Sequence, residues 1–314
     1  MENMENPALL FPRKERELFP EVLEVMAKFG QPGPAVVPQK TWRSPIKDPG
    51  VSEQVIRRIS RALGSAEARY NPMANLEETE ISFYNLMAEG LFMPKPVLLK
   101  NAGCALGTVA SNYVLLLSDS ADSLFETMKR MVDVRKQGAS ARIVLDRAGP
   151  VAVLKIFDSV MEVLFGGAEP WDATVMIRAD HPDRADFLET PSSFKRNVFD
   201  SPDEAVPDLE GRVAGHLNLA LDGSMDWKKI RETVWLAVHF LDNAWEINHS
   251  PFADGPNRPQ RRKIELGLTG PKTETVVTFV AKEIEEAAAQ LFLKRGGNRS
   301  VYFSPDTIQT TSSG

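Results

Sequence analysis

Cysteine is almost absent: the single thiol is Cys104, which excludes structural disulfides, cysteine-rich zinc sites and any reaction needing two thiols from this chain. Histidine is scarce too. His181, His216, His239 and His249 lie far apart with no H-E-x-x-H spacing, so no histidine-based metal site is expected. There is no excess of positive charge: 37 Lys and Arg against 43 Asp and Glu give a net −6, the wrong sign for a dedicated nucleic-acid binder. No apolar run approaches the roughly 18 residues of a membrane span, the longest candidate being residues 113–117, and the acidic start MENMENPALL does not read as a signal peptide. The cytoplasm is the expected location. What is present is globular in composition, 43% hydrophobic and 25% charged, and 314 residues suffice for two average domains or one large one.

The chain opens on an expected arm and linker over residues 1–50. An amphipathic stretch at 15–29 carries Leu18, Val22, Val25 and Met26 on one side, and a Pro/Gly-rich connector at 30–39 cannot continue a helix. Helical spacing over 51–64 and 76–90 predicts a helical layer within 51–100. From 101 onward, strands alternate with helices. YVLLL at 113–117 leads into a helix at 120–137 that Gly138 stops, then a strand at 141–145, a helix from Gly149-Pro150 to 164 and a strand at 174–177. Asp180-His181-Pro182 reads as a helix start and residues 189–211 as an irregular loop. A strand at 215–220, a helix at 226–247 and a strand at 264–268 follow, then a helix at 274–294 and a polar tail. The alternation predicts a mixed α/β layered fold.

Several segments, in order, resemble the large subunit of ribonucleotide reductase, most nearly its adenosylcobalamin-dependent class. Phe92-Met-Pro with Asn101-Ala-Gly resembles F-L-P-N-S-P-T-L-M-N-A-G, and residues 113–138 resemble the strand and helix that carry the allosteric nucleotide. GPVAVLKIFDSVMEVLFGG at 149–167 is similar to G-P-V-S-F-L-x-x-F-D-x-x-T-E, and RADHPDRADFLE at 178–189 to D-H-P-D-I-x-E-F-I-E. HLNLALDGSMDWKKIRETVWLAVHFLDNAWEIN at 216–248 resembles the I-N-L, D-W and F-L-D-N-x-I-D-V-N run, and RRKIELGLTG resembles R-R-I-G-L-G-V-M-G. The resemblance spans about residues 80–270. It implies an α/β fold with a remnant of a ten-stranded barrel, an N-terminal helical layer and long dimer-bundle helices.

Ribonucleotide reduction needs a thiyl radical to remove the 3′ hydrogen and a dithiol pair to supply two electrons. By the resemblance, the first redox cysteine falls at Asn112 and the second near Arg212, and the N-P-C-G-E motif of the radical cysteine is missing. An internal deletion near 190–211 accounts for that loss. Cys104 matches none of the three. By the resemblance, the substrate-phosphate turn N-S-P-T reads Lys95-Pro-Val-Leu98, which removes the hydroxyls, and Gly-Gly-x-Arg-Arg-Gly-Ala reads Gly166-Gly-Ala-Glu-Pro-Trp-Asp172-Ala, where anions replace cations.

What the resemblance leaves is recognition. Asp119 is the candidate for a nucleotide's ribose, or simply a helix cap, and Lys136, Arg142 and Arg147 are candidates for its phosphates. The expected ligand is a nucleoside triphosphate; adenosylcobalamin is implied by the resemblance alone. Met128, Met131, Val238 and Trp245 on the two long helices are candidates for a homodimer interface, with packing inside one chain as the alternative. Three readings follow: a reductase-like nucleotide sensor or regulator without reductase chemistry, an enzyme of another reaction using the carboxylates of loop 190–211, or a purely structural partner protein. A reductase component that takes its thiols from another chain ranks below them.

Overall fold

The structure, a computed structural model, describes residues 52–104, 107–146, 149–166, 170–201, 208–219, 226–252, 261–270, 272–296 and 298–305. The arm at 1–50 and the candidate Arg147 lie outside the described residues. The chain divides into two compact units. One is drawn from residues 1–109, 212–249 and 258–314, the other from 110–211 and 250–257.

The first unit begins with α1 (Glu53–Ser65), whose apolar residues recur at helical spacing and bury Ile56, Ile59 and Leu63. Ser52 caps it by accepting from the Val55 amide at 3.4 Å. A 3-10 turn (Ala66–Arg69) leads on to α2 (Leu76–Ala88), capped by Asn75. Then come the short strand β1 (Phe92–Pro94) and α3 (Pro96–Asn101), which proline opens without loss because the first helical amide has no partner anyway.

The second unit is a run of strand and helix: β2 (Tyr113–Ser118), α4 (Ala121–Lys136), β3 (Ala141–Asp146), α5 (Pro150–Phe165), β4 (Ala173–Arg178), α6 (Arg184–Glu189) and β5 (Lys195–Phe199). Its four strands are all parallel, in the order β2-β3-β4-β5. Leu115, Leu117, Ile143, Leu145, Val175 and Ile177 are at most 1% exposed. A buried strand of this type reads as the continuous apolar run that YVLLL is.

The chain then returns to the first unit with β6 (Val213–Asn218), α7 (Trp227–Glu246), β7 (Arg261–Thr269), α8 (Glu274–Arg295) and β8 (Asn298–Ser304). Its sheet has the order β1-β6-β7-β8, antiparallel at β1 and parallel elsewhere. Val234, Val238 and Leu241 of α7 are fully buried, each worth about 1.5–3 kcal/mol of transfer free energy.

Four expectations need correction. Residues 189–211 are not wholly irregular, because β5 lies within them and pairs with β4. The tail is not featureless either: β8 pairs with β7. The helix after β4 starts at Arg184, not at Pro182, since residues 179–183 form turns in which the Asp183 amide donates to His181 Nδ1 at 3.1 Å. Ser120, not Asp119, caps α4, its hydroxyl accepting from the Ser123 amide at 3.1 Å. The helices of 51–100 fall in one unit with β6, α7, β7 and α8.

Candidate functional site

Parallel strands deliver their ends, the loops that follow and helix N-termini to one edge, and ligands of open α/β sheets bind there. In the second unit Ser118, at the end of β2, pairs with Asp146 at the end of β3. Asp119 follows directly and is exposed, and the next residue, Ser120, caps α4. A cavity of about 360 Å3 opens at this edge among Leu116, Asp146, Arg178, Asp180, Phe199 and Asp200. Arg178 donates Nε and Nη2 to the two Asp180 oxygens at 2.9 and 2.8 Å. That side-chain hydrogen bond holds the Asp180 carboxyl below the usual carboxylate range. Three carboxylates face one guanidinium already engaged by one of them, so the edge is acidic.

The other candidates do not assemble around Asp119. Lys136 is the last residue of α4, and a rise of 1.5 Å per residue sets it roughly 25 Å from the start of that helix. Arg142 is the second residue of β3 and pairs with Val114, at the opposite edge of the sheet from Asp146. Arg142 thus stands toward the amino end of the sheet, away from the edge that carries Asp119. Of the dimer candidates, Met131, Val238 and Trp245 are 0, 0 and 3% exposed, so this chain's own packing already covers them, and Met128 is half-buried. Trp245 also donates its indole N–H to the Lys263 carbonyl at 3.0 Å. The apolar surface left open on α4 and α5 is instead Phe125, Ile156, Val163 and Leu164, at 67, 40, 82 and 54% exposure.

At the amino edge of the same sheet, Asn112 holds a left-handed backbone with φ +60°, which asparagine tolerates better than most residues. The Ser140 hydroxyl donates to Asn112 Oδ1 at 2.7 Å and accepts from the Asn112 amide at 3.1 Å. Ser111 Oγ lies 2.8 Å from Ser140 Oγ. This position is a hydroxyl-amide clasp between the starts of β2 and β3, with no thiol in it. In the first unit Arg212 stacks over Tyr302, 3.8 Å from the ring centre, and pairs with Glu265 at 3.3 Å. Cys104 is 8% exposed and its Sγ lies 3.1 Å from the Lys100 carbonyl oxygen. Burial pushes its thiol up, only partly offset by the charge of Arg58.

Sequence reasoning missed the densest polar cluster, in the first unit. Asp242 of α7 is fully buried and accepts from Arg262 Nη1 at 2.9 Å, Arg295 Nη1 at 2.7 Å and Arg299 Nε at 2.7 Å. Burial opposes its ionisation, but the Arg299 hydrogen bond and the charges of Arg262, Arg299 and Arg295 outweigh that and hold it below the usual range. Glu246 on the next turn pairs with Arg69 and Arg262 and accepts from the Tyr70 hydroxyl. Glu67 pairs with Arg295, sits 2.5 Å from His239 Nε2 and accepts from Asn243 Nδ2 at 2.8 Å. The available signal was the charge inside the apolar run FLDNAWE, together with arginines at 262, 295 and 299. Among the described residues no group of His, Cys, Asp and Glu forms a metal site, and no helix is long and apolar enough to cross a membrane.

No protein-family model matches the chain. The vitamin B12-dependent ribonucleoside-diphosphate reductase of Mycobacterium tuberculosis is 24% identical over 333 aligned residues, covering 74% of this chain and 48% of the relative. The protein of the same name from Thermoplasma acidophilum is 28% identical over 288 residues, covering 60% and 38%. The chain thus spans less than half the length of these relatives. Among solved structures, the Actinobacillus ureae class Id ribonucleotide reductase alpha subunit matches with a TM-score of 0.59 at 14% identity, over 78% of this chain and 65% of that one. The resemblance read from the motifs, and the α/β fold it implies, are borne out.

Proposed function

We propose that this chain, a ribonucleotide reductase large-subunit-like protein, carries out no ribonucleotide reduction with its own residues and acts as a dimeric, nucleotide-responsive sensor or regulator. The observation that carries the first part is the clasp at Asn112. The position matched to the first redox cysteine holds an amide whose backbone and side chain are both committed to Ser140. The position matched to the second holds Arg212, committed to Glu265 and Tyr302. The relatives are named as vitamin B12-dependent; such a cofactor supplies an organic radical that must pass to a thiol. The one thiol here is buried, aligns with none of the three cysteines and is held protonated by its surroundings, so the residues present do not fit that group.

Recognition is assigned to the carboxyl edge of the second unit's sheet, with the Asp119 carboxylate accepting from a ribose hydroxyl. Because Asp146, Asp180 and Asp200 make this edge acidic, the nucleotide is expected as its Mg2+ complex, the ion offsetting carboxylate–phosphate repulsion. Dimerisation is assigned to the open apolar surface of α4 and α5, where Phe125 and Val163 stand most exposed.

The test is a thermal-shift screen of the chain against the dNTPs, ATP, the ribonucleoside diphosphates and adenosylcobalamin, with and without Mg2+, repeated on Asp119→Ala. A ligand specific for the folded state raises its stability. A Mg2+-dependent triphosphate shift lost in Asp119→Ala supports the reading. A flat response to all nucleotides removes the sensor role, and reductase turnover by the isolated chain with a dithiol overturns the first part.

A further inference from the structure

We propose that the groove between α7 and α8 in the first unit binds a small planar organic anion, an aromatic carboxylate or sulfonate in chemical class. Its volume is about 850 Å3, within the range of roughly 300–1,000 Å3 usual for small-molecule sites. The walls are apolar: Trp235 and Leu236 come from α7, Ala287 and Leu291 from α8. The Trp235 ring is held in place because its indole N–H donates to Glu283 Oε2 at 2.8 Å. Tyr70, at the floor, is backed by the Arg295 guanidinium 4.5 Å from its ring centre. Flat faces fixed by such bonds favour a flat ligand, since the wall loses no rotamer freedom on binding.

Charge gives the ligand its sign. Glu67, His239 and Arg295 line the groove and belong to the buried cluster. That cluster sets four guanidiniums, Arg69, Arg262, Arg295 and Arg299, against three carboxylates, Glu67, Asp242 and Glu246. Of the groove's own lining, Arg231, Lys294 and Arg295 stand against Glu67 and Glu232, an excess of one positive charge at a partly buried surface where screening is weak. At the mouth, Lys294 is exposed and makes no ion pair among the described residues. Arg231 is neutralised by Glu283 at 2.6 Å, and the rim carboxylate Glu232 lies 3.9 Å from Lys228. The balance seen from inside is therefore positive, opposite in sign to the whole chain and to the acidic edge of the second unit's sheet.

The probe is 8-anilinonaphthalene-1-sulfonate, a flat aromatic anion whose fluorescence reports binding, titrated into the full chain, into Lys294→Glu and into Gln290→Trp. Both substitutions fall at exposed groove positions of α8; the first reverses the charge at the mouth and the second fills it. The expected result is saturation at one equivalent, weakened at least tenfold in each variant and unchanged in Asp119→Ala, which lies in the other unit. Variants that melt cooperatively like the parent establish that the loss is local. No saturable binding overturns the proposal. So does binding that neither variant weakens, which would mean that the dye sits on open apolar surface such as Phe292 and Leu293.

Discussion

Asp242→Asn is the most informative single change in the first unit. The carboxylate is 0% exposed and receives hydrogen bonds from three arginines, at 2.9, 2.7 and 2.7 Å. Asparagine keeps the shape but removes the charge, leaving three guanidiniums without the carboxylate they share. Removing one partner of a buried pair costs about 3–5 kcal/mol, because the charge left behind is neither solvated nor matched. Against a total stability of about 5–15 kcal/mol that is a large fraction, and it corresponds to a fall in Tm on the order of 6–20 °C. The assay is urea unfolding followed by tryptophan fluorescence and circular dichroism, since Trp227, Trp235 and Trp245 all report on the first unit. The double variant Asp242→Asn with Arg299→Met should lose less than the sum of the two single losses, by about 0.5–3 kcal/mol of coupling. A loss below about 1 kcal/mol in Asp242→Asn would refute the reasoning, placing the cluster among surface pairs.

Glu67 sets the acid limb of stability. Burial opposes its ionisation, but the hydrogen bond and charge of His239, the charge of Arg295 and the Asn243 amide bring it from 4.5 down to about 2. A carboxyl depressed on folding stabilises fully above its unfolded value, and that stabilisation is lost as pH falls from 4.5 towards about 2; Glu67→Gln should flatten that part of a plot of urea midpoint against pH. Asn112→Ala forfeits a residue that tolerates φ +60° and the Ser140 hydrogen bond, for an expected loss of about 1–3 kcal/mol by chemical denaturation. Asn112→Gly, free at that φ, should lose less, and equal losses would show that backbone strain is not involved. Phe125→Glu with Val163→Glu should convert a dimer to monomers in sedimentation at unchanged circular dichroism, and an unchanged mass would remove α4 and α5 as the interface.

Apolar strands were legible in the sequence, including β2 at the edge of its sheet, and the charged edge strands β5 and β8 were not. YVLLLS, ARIVLD and ATVMIR of the second unit carry apolar residues because both faces are covered. β5 is KRNVF and buries only Phe199, and β8 is NRSVYFS; each forms an outer edge of its sheet. Edge strands are half solvated and often charged, which blocks pairing with other chains, so their pattern reads as loop. The misplaced helix start at Asp180-His181-Pro182 has a related cause: a cap signal and a turn signal use the same residue types. Asp119 was legible as a site candidate because strand and helix fix the edge where it stands. The buried cluster was not legible: Glu67 and Arg295 are 228 positions apart, and no local pattern marks a partner at that distance.

The motifs that carry the likeness to reductases are mostly the residues that hold this fold together. In FLDN, Phe240, Leu241, Asp242 and Asn243 are all 0% exposed, and Asp242 anchors three arginines. Arg262 of the RRK segment is one of them. Gly149 opens α5 with φ +70° ahead of Pro150, and in Asn101-Ala-Gly the Asn101 amide donates to the Thr108 carbonyl at 2.8 Å. By the resemblance, the segments that would supply thiols and phosphate contacts are the ones that differ. In these segments the matching residues sit where removing a side chain would leave a buried charge or a strained turn. On the proposed reading the redox positions are held by Asn112 and Arg212, each of which bonds to neighbours where it stands. It follows that restoring one thiol with Asn112→Cys should leave reductase turnover at zero while lowering stability, since the clasp is lost and no second thiol is gained.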